Sequence, residues 1–347
     1  MKKVLLGMSG GVDSSVSAIL LKEQGYDVIG ITLELFGGTC CNTDAIVGAK
    51  QICNSIGIPH ITYNLKEEFQ CKVINNFIDE YSNQRTPNPC IECNKYMKFG
   101  AMYEKAKELG CDYIATGHYA KMEYSDEYGK YVLRKAQNLS KDQSYVLYNM
   151  PKQLLGKVLF PLGNFESKED VRKIAKEHNL SVASKPDSED ICFILDGNYK
   201  KFLENNSDIK PVEGNIVDKS GKVSGKHTGL YNYTIGQRKG LGISNKVPLF
   251  VVGFNKAKNE VIVGEEKDLY TDKIEVKEVN LILVDEIKDW MEVEVKTRYT
   301  AKMAKARIKQ EDDKIKVEFY EPQRAVTPGQ SAVFYVDDIV VGGGKII

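Results

Sequence analysis

From Gly7 the chain reads Gly7-Met8-Ser9-Gly10-Gly11-Val12-Asp13-Ser14-Ser15, a run whose residue types suit an anion. Glycines let a backbone approach phosphate oxygens closely. Hydroxyls at Ser9, Ser14 and Ser15 can donate to those oxygens, and Asp13 has the chemistry either to cap a following helix or to hold a magnesium ion. The Gly-Lys-Ser/Thr ending of a Walker A loop is missing, as is a Gly-x-Gly-x-x-Gly dinucleotide fingerprint, which argues against kinase-type and dehydrogenase chemistry. A second group consists of thiols. Cys90 and Cys93 lie in Thr86-Pro87-Asn88-Pro89-Cys90-Ile91-Glu92-Cys93-Asn94-Lys95, and Cys192 lies in Ser188-Glu189-Asp190-Ile191-Cys192-Phe193. The first stretch reads as a proline-stiffened loop running into a helix, where the dipole favours thiolate. Structural zinc wants four ligands at paired spacings, and one C-x-x-C supplies two unless Cys40 and Cys41 join it. Sulfur chemistry is the more economical reading. Cys53, Cys71 and Cys111 fall in or beside regular elements and read as small hydrophobes.

The elements that position these groups follow from periodicity. Short apolar runs at 3–8, 27–35, 60–64 and 112–116 alternate with helix-period segments at 14–24, 43–55, 66–82 and 95–109, the pattern of a parallel sheet with crossover helices. Further helices are expected at 143–155 and 168–178. The anion loop then joins the first strand to the first helix, where the helix N-terminus adds its own attraction for phosphate. Leu33 and Ala115-Thr116-Gly117-His118-Tyr119 fall at carboxyl ends of strands, the edge at which open α/β sheets bind ligands. Beyond Pro211 come short strands punctuated by glycine, and from Val276 onward β-branched and polar residues alternate. Lys296, Arg298, Lys302, Lys305, Arg307 and Lys309 surround Tyr299 in that part, and Gln237-Arg238-Lys239 sits between glycines. Both stretches offer phosphate contacts, and the tyrosine a stacking surface for a base.

A chain of 347 residues, 42% hydrophobic and 28% charged, predicts two or three globular units. Its formal net charge is zero, so any attraction for nucleic acid must be local. Eight cysteines are too dilute for a disulfide scaffold. No apolar run is long enough to span a membrane, and the apolar start meets Ser9 and Gly10 too soon for a secretory signal. A cytoplasmic protein is expected.

The S-G-G-x-D-S string resembles that of ATP pyrophosphatases, which split ATP between its α and β phosphates. Taken with 86–95, 115–119, 141–145, 188–193, 236–243 and 326–335, it makes the chain similar along nearly its whole length to bacterial tRNA-specific 2-thiouridylases. The resemblance implies an N-terminal Rossmann-like parallel-sheet domain of the adenine nucleotide alpha hydrolase type at 1–205, a small β-rich central domain at 206–273 and a C-terminal β-barrel-like domain at 274–347. It implies ATP-dependent thiolation of the wobble uridine of Lys, Glu and Gln tRNAs, with magnesium. Carried over by position, it makes Cys93 the nucleophile and Cys192 the persulfide carrier, joined transiently as a disulfide, with Asn88, Pro89 and Cys90 beside the target base. ATP would meet Gly7, Met8, Ser9, Gly10, Gly11, Val12, Asp13, Ser14, Leu33 and Gly117. The tRNA would meet His118, Lys141, Asp142, Gln143, Arg298, Tyr299 and Gln330. A cysteine desulfurase or a sulfur-carrier protein is the implied donor, and a monomer or weak dimer the expected state. Many relatives carry Asp where Cys90 stands. That third thiol leaves an alternative in which Cys90, Cys93 and Cys192 hold an iron–sulfur cluster that delivers the sulfur. A carbon–nitrogen ligase shares the loop but has no use for Cys93 and Cys192. A non-catalytic RNA-binding protein with a nucleotide-sensing domain is the third reading.

Overall fold

The structure, a computed structural model, describes residues 1–36, 43–186 and 191–347. Strand β1 (Lys3–Gly7) is central in a parallel sheet with β2 (Asp27–Glu34), β3 (His60–Asn64), β4 (Tyr113–Ala115) and β7 (Val158–Leu159), in the order β3-β2-β1-β4-β7. The unbroken apolar run of β1 reflects cover on both faces. Val4 and Leu6 point to the side packed by α1 (Val12–Glu23), α2 (Thr43–Ile56) and α5 (Lys168–Glu177), whereas Leu5 points to the opposite core with Phe99 and Met102. Helix α3 runs through Lys66–Phe69, Gln70–Ile74 and Asn75–Ser82, its middle turn widened. Helix α4 runs through Pro89–Glu92, Cys93–Ala101 and Met102–Glu108. It begins well before the expected residue 95, because Asn88 caps it and Pro89 occupies the first turn, where its missing N–H costs nothing. Cys90 and Cys93 are therefore helical residues, not loop residues.

After α6 (Tyr199–Asn206) comes a small sheet in the order β10-β11-β8-β9, made of β8 (Gly214–Asp218), β9 (Val223–His227), β10 (Phe250–Asn255) and β11 (Glu260–Gly264). The last part is a six-stranded barrel of β12 (Tyr270–Leu281), β15 (Lys314–Arg324), β14 (Ala304–Glu311), β13 (Met291–Lys296), β16 (Ser331–Val336) and β17 (Ile339–Ile346), closed where β12 pairs with β17. Strand β17 also meets β6 (Lys130–Arg134) at Ile339 and Arg134. The hairpin of β5 (Lys121–Ser125) and β6 thus belongs by sequence to the N-terminal part and by hydrogen bonding to the barrel's sheet.

The helix expected at 143–155 is absent. Two single turns, Ser144–Val146 and Lys152–Leu154, stand in its place. The segment is wedged between α4 and the barrel with Tyr145, Leu147 and Tyr148 all buried, so its apolar residues face every direction instead of forming one helical stripe. Tyr145 donates to the Ser331 carbonyl at 2.9 Å, and Asn280 donates to the carbonyls of Tyr148 and Met150. Among the described residues no helix is long and apolar enough to cross a membrane.

Candidate active site

The anion loop leaves β1 at its carboxyl end. Gly10 has φ +72, and a side chain there would meet the Ala45 carbonyl at 3.1 Å, so the position favours glycine twice over. Gly11 is the residue before α1 and caps it without a side chain, so Asp13 is not the cap that its chemistry allowed. Ser14 and Ser15 both donate to the Gly11 carbonyl, at 3.1 and 2.8 Å, and the Ser9 backbone N–H reaches Ser14 Oγ at 3.3 Å. Met8 and Val12 are core side chains, so only their backbone faces the loop's ligand side. Gly117 abuts the loop. A Cβ on it would lie 3.0 Å from the Asp13 carbonyl carbon and from the Ser14 nitrogen.

Asp13 is bound from the far side of the loop. Lys168 Nζ lies 2.5 and 2.6 Å from its two oxygens, and Tyr119 donates its hydroxyl to it at 2.9 Å. Lys185 Nζ reaches the Gly10 carbonyl at 3.4 Å. Sequence reasoning missed Lys168 and Lys185. Neither stands in a recognisable string, and only the packing of α5 on α1 brings Lys168 to the loop.

The thiols gather elsewhere on the same edge. Cys93 and Cys192 are half-buried and pack against one aromatic cluster that includes Phe69, Phe77 and Phe193, and Leu33 at the end of β2 packs on it too. Asn88 Oδ1 accepts from the Cys90 backbone N–H at 3.1 Å, which fixes the first turn of α4. Cys90, one turn earlier on the same helix as Cys93, is exposed. Among the described residues no three His, Cys, Asp or Glu side chains converge as a metal site, which gives the iron–sulfur alternative no support. Cys40, Cys41 and Ser188-Glu189-Asp190 lie outside the described residues.

Several residues matched to RNA contacts are spent internally. The Asp142 carboxylate is buried and accepts from Ala136 N–H and from Ser144 N–H and Oγ. Gln143 Oε1 accepts from the Tyr119 N–H at 2.9 Å. The Arg298 guanidinium donates to the carbonyl of Ala325 at 2.8 Å and to Thr327 Oγ1, and its burial lowers its pKa. Gln330 donates to the Thr86 carbonyl at 2.7 Å, which ties the barrel to the loop preceding α4. In this structure these four side chains make hydrogen bonds within the fold, those of Asp142 and Gln143 inside the N-terminal part and that of Gln330 between the barrel and the loop before α4. Lys141 is half-buried, whereas Tyr299 is 40% exposed beneath the Lys296 ammonium. His118 lies between Thr116 Oγ1, at 2.7 Å from Nδ1, and Lys98 Nζ, at 3.2 Å from Nε2. An ammonium can only donate, so Nε2 accepts and Nδ1 carries the proton. Burial, aided by Lys98, holds the His118 pKa well below the usual histidine value. An open cleft of about 500 Å³ lies apart from the anion loop, where α6, the central sheet region and the barrel meet, lined by Lys200, Gln237, Arg298 and Arg324 among others.

Family models match the whole of this architecture: one described as a tRNA methyl transferase HUP domain at residues 2–196, a tRNA methyl transferase PRC-barrel domain at 200–265 and an aminomethyltransferase beta-barrel domain at 271–346. The tRNA-specific 2-thiouridylase MnmA of Caldicellulosiruptor saccharolyticus is 49% identical over 99% of this chain and 98% of its own length. The chain belongs to the tRNA-specific 2-thiouridylase family. Two other relatives of that name agree, from Clostridioides difficile at 48% and from Acetivibrio thermocellus at 49%, each over 99% of this chain. The family's ATP-using fold accounts for the anion loop at the end of β1.

Proposed function

We propose that the protein is a tRNA-uridine 2-sulfurtransferase that uses ATP to replace oxygen 2 of the wobble uridine with sulfur. The observation that carries this reading is the gathering of two sequence-distant thiols, Cys93 and Cys192, on one cluster with Leu33, at the edge of the sheet where the anion loop emerges. The uridine's oxygen 2 attacks the α phosphorus of ATP, and the bond to the β phosphate breaks as pyrophosphate leaves with the electron pair. Backbone N–H groups of 9–14 and the α1 N-terminus receive the charge that develops on the departing group. Asp13 is the carboxylate that would hold magnesium together with the phosphates, the metal neutralising charge there. A persulfide on Cys192 then attacks carbon 2 and expels AMP, and Cys93 attacks the Cys192 sulfur to leave a disulfide and the thiocarbonyl. Alternatively Cys93 attacks the persulfide first and releases hydrosulfide as the nucleophile. Either route ends in the same disulfide, which an external thiol must reduce. The upstream donor is a cysteine desulfurase or a sulfur carrier.

In this reading Asn88, Pro89 and Cys90 lie beside the base, Leu33 and Gly117 flank the adenosine, and Tyr299 supplies a stacking face. Carbon 2 of a stacked uridine is inaccessible, so the base must leave its stack to react. Exposed cations at Arg238, Lys239 and Lys302 are the side chains best suited to RNA phosphates. A cytoplasmic monomer or weak dimer is the expected form. The names of the matching family models suggest methyl transfer as a second reading, but that chemistry gives no role to an ATP-splitting loop or to paired thiols. Incubation with unmodified tRNA, ATP, magnesium and a persulfide source, followed by nucleoside mass spectrometry, separates the two. 2-Thiouridine with equimolar AMP is expected; an added methyl group, or no change in the nucleosides, would refute the proposal.

A further inference from the structure

Lys168 is a buried cation in a place where its own helix opposes it. It is 7% exposed and stands first in α5, directly after the Ser167 cap, where the helix dipole is positive and disfavours an ammonium. Burying a lone ammonium is costly, and here both oxygens of Asp13 compensate at 2.5 and 2.6 Å. Asp13 itself belongs to the first turn of α1, whose N-terminus is a second positive end. Lys185 adds its ammonium at the Gly10 carbonyl, 3.4 Å away. Two helix starts and two ammonium groups thus converge on a glycine loop, with the Asp13 carboxylate as counter-charge. A pair serving stability alone would gain little from this placement, since buried ion pairs barely repay their desolvation.

We propose that Lys168, seconded by Lys185, is the cation that grips the pyrophosphoryl part of ATP, and that Asp13 holds Lys168 at the loop until the nucleotide arrives. The inference rests on the ATP-splitting reading given above. Lysine carries a point charge on a flexible stem, so its ammonium can exchange a carboxylate for phosphate oxygens with a small movement. It then meets the charge that grows on the β phosphate as the bond to the α phosphorus breaks. No electron transfer is involved.

Calorimetric titration of the full chain with inorganic pyrophosphate, with and without magnesium, and with AMP as a control, tests the assignment. Lys168→Gln should weaken pyrophosphate binding about tenfold or more and leave AMP affinity within about twofold. Lys168→Arg should restore part of the loss. Asp13→Asn should tighten magnesium-free pyrophosphate binding several-fold, because the competing carboxylate is gone. Thermal melts show which variants are folded at the assay temperature, and Lys185→Gln serves should Lys168→Gln not be, with a smaller loss expected. Parent-like pyrophosphate affinity in folded Lys168→Gln, or in Lys185→Gln where that variant stands in, would overturn the proposal and leave the ATP-splitting reading intact. A parent protein that neither binds pyrophosphate nor makes AMP from ATP in the presence of tRNA would overturn both.

Discussion

Cys93 and Cys192 share an aromatic surround, whereas Cys90, on the same helix as Cys93, is exposed. That difference sets distinct expectations for single substitutions. Cys93→Ser and Cys192→Ser should each abolish 2-thiouridine formation, because a relay needs both sulfurs. Cys90→Ser should retain most of the activity in aerobically purified, metal-free protein. Nucleoside mass spectrometry on the three variants decides it; loss of activity together with iron in Cys90→Ser would revive a cluster. His118 carries a different prediction. An unfolded histidine takes up a proton near pH 6.5, roughly. The folded one, buried beside Lys98, resists that proton until well below this pH. The unfolded state therefore binds more protons in acid, so this stabilisation is complete above about pH 6.5 and drains away as pH falls below it. The His60 pKa is lowered by burial and by Lys50, and acts in the same direction. Melting temperature should fall between pH 7.5 and 5.5, and His118→Gln should fall less over that interval. Equal slopes for the two proteins would show that His118 is not responsible.

At the scale of elements, the junction of β4 with the first turn of α1 is the tightest approach around the anion loop. A methyl group on Gly117 would stand 3.0 Å from backbone atoms of Asp13 and Ser14, which cannot rotate away as a side-chain tip can. Gly117→Ala should therefore displace the loop by a few tenths of an ångström. The expected result is a several-fold rise in KM for ATP with an unchanged circular dichroism spectrum, since the clash falls on the ligand side of the sheet. An unaltered KM would mean that the loop is soft enough to absorb the methyl group. Helix α4 shows how element ends are set by single residues. Pro89 is legible as a helix starter and Asn88 as its cap, yet proline and asparagine mark loops equally well, and periodicity alone starts the helix at Lys95 with both thiols in a loop. The Asn88 bond to the Cys90 N–H decides between the two.

Across the whole molecule, the barrel is fastened to α3 and to the loop before the thiol-bearing helix by more than one bond. Thr86 N–H donates to the Pro328 carbonyl at 2.9 Å, Gln330 donates to the Thr86 carbonyl, and Lys345 on β17 reaches Glu80 on α3 at 3.3 Å. Burial works to raise the Glu80 pKa, but Arg85 and Lys345 outweigh it and keep the carboxyl ionised below its usual range. Under the proposed function this holds the barrel in register with the residues that would act on the base. The proposed function draws RNA-facing charge first from the exposed cations. Replacing Arg238, Lys239 and Lys302 together with alanine should flatten the dependence of log K for tRNA on log salt by about 0.7 to 0.9 for each phosphate no longer neutralised. ATP affinity should stay the same. A parent-like slope would take these residues off the RNA surface. Arg298 is a poor choice for this test, because removing its guanidinium strips the carbonyl of Ala325 of a buried donor.

The sequence alone determined what depends on short spacings. A glycine-rich string after an apolar strand has few uses other than an anion site, because only glycines permit the positive φ at Gly10 and the close approach at Gly117. Parallel strands announced themselves through apolar runs such as Val4-Leu5-Leu6, buried on both faces. Tertiary structure decided what depends on contacts between distant segments. Lys168 meets Asp13, Gln330 meets Thr86, and hairpin β5–β6 joins the barrel at Ile339, although nothing local in the chain marks any of these partners. It also decided that Asp142 and Arg298 make their hydrogen bonds to other parts of the fold. A charged residue reads as surface in a sequence, and only the packing of neighbours around it shows that its hydrogen bonds are made within the fold.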